Sequence, residues 1–324
     1  HWPNRDRFIL SAGHGSMLLY SLLHLFGYEM ELDQLMEFRQ WGSKTPGHPE
    51  FEPEAGIETT TGPLGQGFSN GIGMALAAKM SAARYNTRKH RLIDHAVYAI
   101  CSDGDLMEGI SHEAASLAGH LGLGNIVYFY DDNHITIEGK TDLAFSEDIK
   151  KRFDAYGWHT QTVNGHNLQQ IDNAIAAARA ESKKPSLIVC RSHIAFGAPT
   201  MHDTSEAHGA PLGEEELEAT RKNLGFPSEK FHVPEEVMMA CQKRVIALRK
   251  IYDKWREKFA DFKKTEPEKA KLFDMCVNKE VPDDLEEKLL EGGFPDKPAA
   301  TRNLGGTVIQ RAAAAVPSLV GGSA

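Results

Sequence analysis

The chain has 324 residues, 41% of them hydrophobic and 25% charged, which is ordinary for a globular protein and enough for one large domain or two smaller ones. Its formal net charge of −9 excludes the basic footprint of a nucleic-acid-binding surface, while a local anion pocket built from backbone amides and a bound cation stays open. No apolar run approaches the roughly 20 residues of a membrane span, and the widely spaced Cys101, Cys190, Cys241 and Cys276 lack paired zinc spacing and read as thiols in a reducing, cytoplasmic compartment.

The first residues carry no signal-peptide pattern. The chain starts without Met and stops at Gly321-Gly322-Ser323-Ala324, so truncation at both ends is the expectation. Phe8-Ile9-Leu10 reads as a short strand, and Ser11-Ala12-Gly13-His14-Gly15 turns into a helix with Met17, Leu18, Leu22, Leu25 and Phe26 as its apolar positions. A second helix is predicted over 32–41. The stretch 42–67, with Pro46, Pro49, Pro53 and Pro63, has few regular signals, and a loop of that length in a compact domain is usually functional. Small residues from Gly71 to Ala83 mark a closely packed helix over 67–85.

Ala96 to Cys101 is an apolar strand that stops at Asp103-Gly104, with a helix expected from near Glu108 through Ala118. A buried strand over 125–130 ends at Asp131-Asp132-Asn133. Helix 146–156, strand 158–163, helix 168–180 and strand 186–190 follow. Strands alternating with helices predict an α/β fold, a parallel sheet with helices on both faces. A second glycine- and histidine-bearing loop spans 198–213, and beyond it the chain is mostly charged helix. From Pro234 onward, Val237, Cys241, Val245, Leu248, Tyr252, Trp255, Phe259 and Phe262 recur at steps of three and four, one face of a long amphipathic helix. Packing against the sheet domain is the ordinary reading of that face. Pro295-Asp296-Lys297-Pro298 reads as a linker, with a new helical element from Arg302.

In a parallel sheet the ends of consecutive strands share one edge, and ligands bind there. Asp103 and Asn133 at two such ends supply hard oxygen ligands of the kind Mg²⁺ or Ca²⁺ takes. Taken singly, Asp103 could instead cap a helix and Asn133 fill a turn. An EF-hand, a Walker loop and a His-Glu-x-x-His zinc motif are all missing, and Asn70 breaks any dinucleotide fingerprint in the glycine series. Gly62-Pro63-Leu64-Gly65-Gln66-Gly67 lies in the long loop and can bring backbone against a flat ligand. His14, His48, His193, His202 and His208 fall in loops at predicted strand ends, where imidazoles can bind phosphate and move protons. His112 and His120, on a helix, read as structural or exposed.

Taken together these residues resemble transketolase. Ser102-Asp103-Gly104-Asp105-Leu106-Met107-Glu108-Gly109 followed by Asp131-Asp132-Asn133-His134-Ile135 resembles its thiamine-diphosphate motif, with 27 residues, 105 to 131, between Gly104 and Asp132. Ser11 to Ser16, Thr61 to Gly67 and His208 to Gly213 are similar to further transketolase segments, so the likeness covers essentially the whole chain. Ser102 stands in place of the motif's first glycine.

The resemblance implies a thiamine-diphosphate-binding fold, with Mg²⁺ (Ca²⁺ as a possible substitute) held by Asp103, Asn133 and the Ile135 carbonyl. It places the Gly104 amide, His14 and His208 at the diphosphate, Gly62 and Leu64 at the aminopyrimidine, and Ile137 and Ile194 near the thiazolium. It gives His14, His48 and His208 catalytic, substrate-facing roles, Arg302 and Ser323 contacts to substrate phosphate, and Glu108 a place in a carboxylate network between the two sites of a homodimer. It implies transfer of a two-carbon ketol unit from a ketose phosphate to an aldose phosphate of the xylulose 5-phosphate, ribose 5-phosphate and erythrose 4-phosphate class. It also implies three segments: a diphosphate-binding domain over 1–213 without its start, a helical extension and linker over 214–297, and the beginning of a pyrimidine-binding domain over 298–324. The family's activating glutamate belongs to that last domain, so these residues alone are expected to be inactive. A formaldehyde-using relative, or a non-catalytic subunit of a split thiamine-diphosphate enzyme, are the alternatives.

Overall fold

Alternation of apolar strands with helices places the chain's first two-thirds in one parallel sheet in the computed structural model, which describes residues 2–321. In chain order the strands are β1 (Arg7–Leu10), β2 (Val97–Ser102), β3 (Ile126–Asp132), β4 (Ile135–Thr136), β5 (Gly139–Lys140), β6 (His159–Asn164) and β7 (Ser186–Arg191). The sheet order is β1-β2-β3-β7-β6, with every pair parallel, and β4 and β5 form a small antiparallel ribbon. The register pairs Leu10 with Ile100, Ser102 with Asp131, and Asp132 with Arg191, so the loops that follow β1, β2, β3 and β7 all leave from one edge.

Helices cover both faces, as the alternation predicts. α1 (Ser16–Leu25) and α2 (Leu32–Met36) follow β1; α3 (Gln66–Tyr85) leads to β2; α4 (Asp103–Met107) and α5 (Gly109–His120) lead to β3; α6 (Ile149–Ala155) and α7 (Leu168–Ala180) flank β6. Ile9, Val97, Ala99, Ile126, Tyr128 and Leu187 face a core completed by Phe68, Ile72 and Ala75 of α3, Ala115 and Ala118 of α5, and Phe153 of α6. The alternate strand positions pack the other way, Leu10 with Leu19 and Leu23 of α1, and Val127, Val163 and Ile188 with Ala174 and Ala178 of α7. This period-2 partition is what a sheet buried on both faces requires.

Several boundaries differ from the sequence reading. α2 stops at Met36 rather than running to Trp41, because Arg39 takes a left-handed φ of 61° and its amide donates to the Thr45 carbonyl. β3 continues through Asp131-Asp132 because β7 pairs with it up to Arg191. Helix begins directly at Asp103 instead of near Glu108, breaks at Glu108 in extended backbone, and resumes at Gly109.

The later helices are α8 (Glu214–Leu224), α9 (Glu235–Thr265), α10 (Pro267–Val277), α11 (Leu285–Leu290) and α12 (Thr301–Ala315). Pro267 opens α10 at its first turn, where its missing N–H costs nothing. The chain forms two compact units, His1–Asn86 with Arg91–Lys254, and Thr87–His90 with Trp255–Ala324. In the first unit, Val237, Val245 and Leu248 of the expected α9 face are exposed. In the second, Trp255 and Phe262 are buried, Phe259 lies 5.0 Å from Phe273 between ring centroids, and Asp261 accepts from His90 Nε2 at 2.8 Å. Among the described residues no helix is long and apolar enough to cross a membrane, and the four cysteines are free.

His95, just before β2, is buried with no hydrogen-bond partner for Nδ1, and burial, with Arg7 next and Arg5 adding to it against Asp94, pushes its pKa down to about 4. The unfolded chain titrates this group near its ordinary value of roughly 6.5. Between the two values the unfolded chain binds the extra proton, so stability is complete above the upper value and is lost as pH falls through the window. The loss is on the order of 2–3 kcal/mol by pH 4.5. Urea midpoints at pH 7 and pH 4.5 should converge in His95→Gln; a variant with the wild-type pH dependence removes His95 as the cause.

Candidate cofactor site at the strand ends

Asp103 begins α4 at the C-terminal end of β2 and is buried. Its Oδ1 accepts from the Tyr130 hydroxyl at the end of β3, and its Oδ2 is buried with no partner. Burial, against the lowering effect of the Tyr130 bond and with help from Asp132, pushes the Asp103 carboxyl up to about 6. An ionised carboxylate with one bare oxygen in such a place is costly unless a cation meets it. Next to it in the register, Asn133 follows β3. Asn133 Oδ1 accepts from the Ile135 amide at 2.9 Å, and its Nδ2 donates to Asp131 at 2.9 Å, which fixes the amide's orientation. His134 between them has a φ of 62°, which turns the chain so that Ile135 is buried. A hard cation with a diphosphate fits this donor set: a bare buried carboxylate oxygen, an amide oxygen and nearby backbone.

Asp105 is fully buried and organises the loops. Its Oδ1 accepts from Ser11 Oγ at 2.8 Å and from the Gly65 amide at 2.8 Å, while Oδ2 accepts from the Ser102 amide at 3.0 Å. Ser11 Oγ in turn accepts from the Phe68 amide at 2.8 Å. One carboxylate thereby ties the His14 loop, the Gly62–Gly67 loop and the β2 end together. Gly65 has φ 76°, where only glycine is at ease, and a Cβ there would sit 2.9 Å from Glu108 Cβ. The sequence reading left Asp105 without a role. Its signal was available as the spacing from Ser102, a capping pattern in which the third helical residue reaches back to the preceding amide.

The loop histidines converge in part. The His14 and His208 rings stack at 4.6 Å between centroids, although they come from opposite ends of the sheet domain in sequence. Burial first, then His208 and more weakly His48, hold the His14 pKa below its ordinary value; burial does the same to His208. His208 Nδ1 is buried without a partner, as is Thr61 Oγ1 beside Gly62. His48 is exposed, and a Cβ on Gly62 would lie 3.1 Å from its Cγ. The Leu64 side chain lies 3.1 Å from the position of a Cβ on Gly104.

Leu64 and Ile137 are exposed, Glu108 is exposed, and Ile194 is half-buried. Arg302 is exposed on α12 in the second unit, and Ser323 lies outside the described residues. His193 and His202 form a separate group around Asp203. His112 is partnered to Tyr156 at 3.0 Å, consistent with a structural role.

A parallel sheet with a partnerless buried carboxylate oxygen, two stacked imidazoles whose pKa burial lowers, and glycine loops along one edge is the arrangement of a cofactor-binding α/β domain. Residues 1–282 match the family described as Transketolase, thiamine diphosphate binding domain. The chain is 48% identical over 329 residues to the transketolase of Geobacillus stearothermophilus, covering 100% of this chain and 49% of that protein. It is 48% identical to the chloroplast transketolase-1 of Arabidopsis thaliana, covering 100% of this chain and 44% of that protein. A Pichia stipitis transketolase variant solved with fructose 6-phosphate superposes with a TM-score of 0.92 at 42% identity, over 98% of this chain and 47% of that one. The chain belongs to the transketolase thiamine-diphosphate-binding domain family. It spans about half the length of the relatives it matches.

Proposed function

We propose that this chain is the diphosphate-binding part of a transketolase, a cytoplasmic homodimer of the pentose phosphate pathway. The whole protein transfers a two-carbon ketol unit from a ketose phosphate such as xylulose 5-phosphate to an aldose phosphate such as ribose 5-phosphate. The observation that carries the reading is the bare, buried Oδ2 of Asp103 at the end of β2. Asp103, Asn133 and the Ile135 carbonyl would hold Mg²⁺, with Ca²⁺ as a substitute, against the diphosphate that the Gly104 amide, His14 and His208 meet. Thiamine diphosphate, when bound, supplies the electron sink for breaking and remaking the carbon–carbon bond.

The chain's own groups orient and move protons. His14 and His208, kept neutral by burial, can each accept a proton from a sugar hydroxyl and return it. His48, on the loop beside Gly62, would join them at the substrate. Gly62, Leu64, Ile137 and Ile194 would wall the rings and exclude water, Glu108 would face the second subunit, and Arg302 and Ser323 would take the substrate phosphate. The free thiols support a cytoplasmic compartment, and the change in composition supports segment boundaries at 213 and 297.

Full-length protein with Mg²⁺ and thiamine diphosphate is expected to form sedoheptulose 7-phosphate from xylulose 5-phosphate and ribose 5-phosphate, faster than it uses formaldehyde as acceptor. Residues 1–324 alone should give no turnover. Preference for formaldehyde moves the assignment to the formaldehyde-using relatives, and robust activity from residues 1–324 alone removes the requirement for a glutamate from elsewhere.

A further inference from the structure

Beyond β7 the chain carries a cluster that the cofactor reading leaves without a role. His193 Nδ1 lies 2.8 Å from Asp203 Oδ2 and 3.1 Å from Oδ1, and His202 Nε2 lies 3.5 Å from the same Oδ2. One ligand atom from each of the three residues falls within 4.8 Å of the other two. We propose that His193, His202 and Asp203 form a binding site for a divalent transition-metal ion of the Zn²⁺ class, which braces the segment between β7 and α8.

The spacing suits that chemistry. Tetrahedral Zn²⁺ with bonds of about 2.0 Å sets neighbouring ligand atoms roughly 3.3 Å apart. The two carboxylate distances already bracket that value, and rotation of the exposed His202 ring closes the remaining edge. Two imidazoles and one carboxylate favour Zn²⁺, Ni²⁺ or Cu²⁺ over Mg²⁺ or Ca²⁺, which take oxygen ligands. Three protein ligands leave one position to water. Binding at Nδ1 places the neutral ring's proton on Nε2, so the hydrogen bond between His193 and the carboxylate gives way to a bond from each to the ion.

The side chains are positioned rather than merely near one another. The His193 amide donates to His166 Nε2 at 3.1 Å, and the His166 ring stacks on His193 at 5.6 Å and on Phe196 at 4.0 Å between centroids. Asp203 adopts φ 57°, and its amide donates to the Ile194 carbonyl at 3.1 Å. That bond closes the loop from 194 to 203 and brings the carboxylate back to His193. An ion here would cross-link the two ends of this loop. His193, His202 and Asp203 side chains are 51%, 38% and 44% exposed, so an ion reaches them from solvent and the variants below remove no core contact.

The test is calorimetric titration of the full-length protein with Zn²⁺ after saturation with Mg²⁺ and thiamine diphosphate, repeated with Co²⁺ while recording the visible spectrum. The wild type should bind one Zn²⁺ per chain at this site and give the d–d bands of imidazole-ligated Co²⁺. His202→Ala and Asp203→Asn should each weaken Zn²⁺ by about tenfold or more. Their unfolding temperatures without Zn²⁺ should match the wild type, and their affinity for Mg²⁺–thiamine diphosphate should not change. Absence of Zn²⁺ binding in the wild type, or wild-type affinity in both variants, overturns the site. Because the readout is metal affinity, its failure is separable from failure of the transketolase reading.

Discussion

Asp105→Ala is expected to destabilise the protein by about 3–5 kcal/mol, since it leaves several donors facing a void where their shared acceptor stood. Four donors lose their partner together: Ser11 Oγ, the Gly65 amide, the Ser102 amide and, at 3.4 Å, the Ser102 hydroxyl. Ser11 Oγ also holds the Phe68 amide, so the disturbance extends into the first turn of α3. The residue is entirely buried, and water cannot replace the lost contacts without opening the loops. Asp105→Asn keeps one acceptor oxygen and should lose less, because its amide nitrogen then faces donors on one side only. Urea unfolding of both variants checks the order. An Asp105→Ala loss below about 1 kcal/mol, the size of one ordinary hydrogen bond, would contradict the organising role.

The second large effect concerns ligand binding. Asp103→Asn should weaken Mg²⁺-dependent thiamine diphosphate binding by about a hundredfold or more, because it removes the anionic oxygen that the hard cation needs. The ligand-free variant should be as stable as the wild type or more stable. Asn keeps an acceptor for the Tyr130 hydroxyl while removing the cost of a bare buried carboxylate oxygen. Calorimetry of binding paired with urea unfolding of the apoprotein separates the two outcomes. Unchanged affinity for Mg²⁺–thiamine diphosphate sinks the metal assignment, and a large loss of apoprotein stability would make Asp103 a structural residue instead.

Much of the sheet was legible because its strands are apolar runs that end in turn chemistry. Leu168–Ala180 is a helix with the bounds that its periodicity predicts. The register of β2 against β3 then puts Asp103 and Asn133 on one edge, as strand ends in a parallel sheet must be. What periodicity could not supply was the backbone detail of the polar loops. The break at Glu108 in extended backbone and the left-handed Arg39, whose amide donates to the Thr45 carbonyl, leave no mark in the apolar period. The bond from Tyr130 to Asp103 was hidden for another reason: in a buried strand, a tyrosine reads as one more apolar position. The stack of His14 on His208 joins loops far apart in the chain, and neither local pattern contains the other.

The Asp105 carboxylate joins Ser11 across 94 residues and Gly65 across 40. Bonds of such sequence separation form only after the intervening chain has lost its loop entropy, and parallel sheets close their contacts late for the same reason. No fragment of the domain short of the β2 end can therefore assemble this edge. The pocket cannot form ahead of the strand ends that carry it. A ligand bound at this edge therefore adds its binding energy to the long-range contacts that build it.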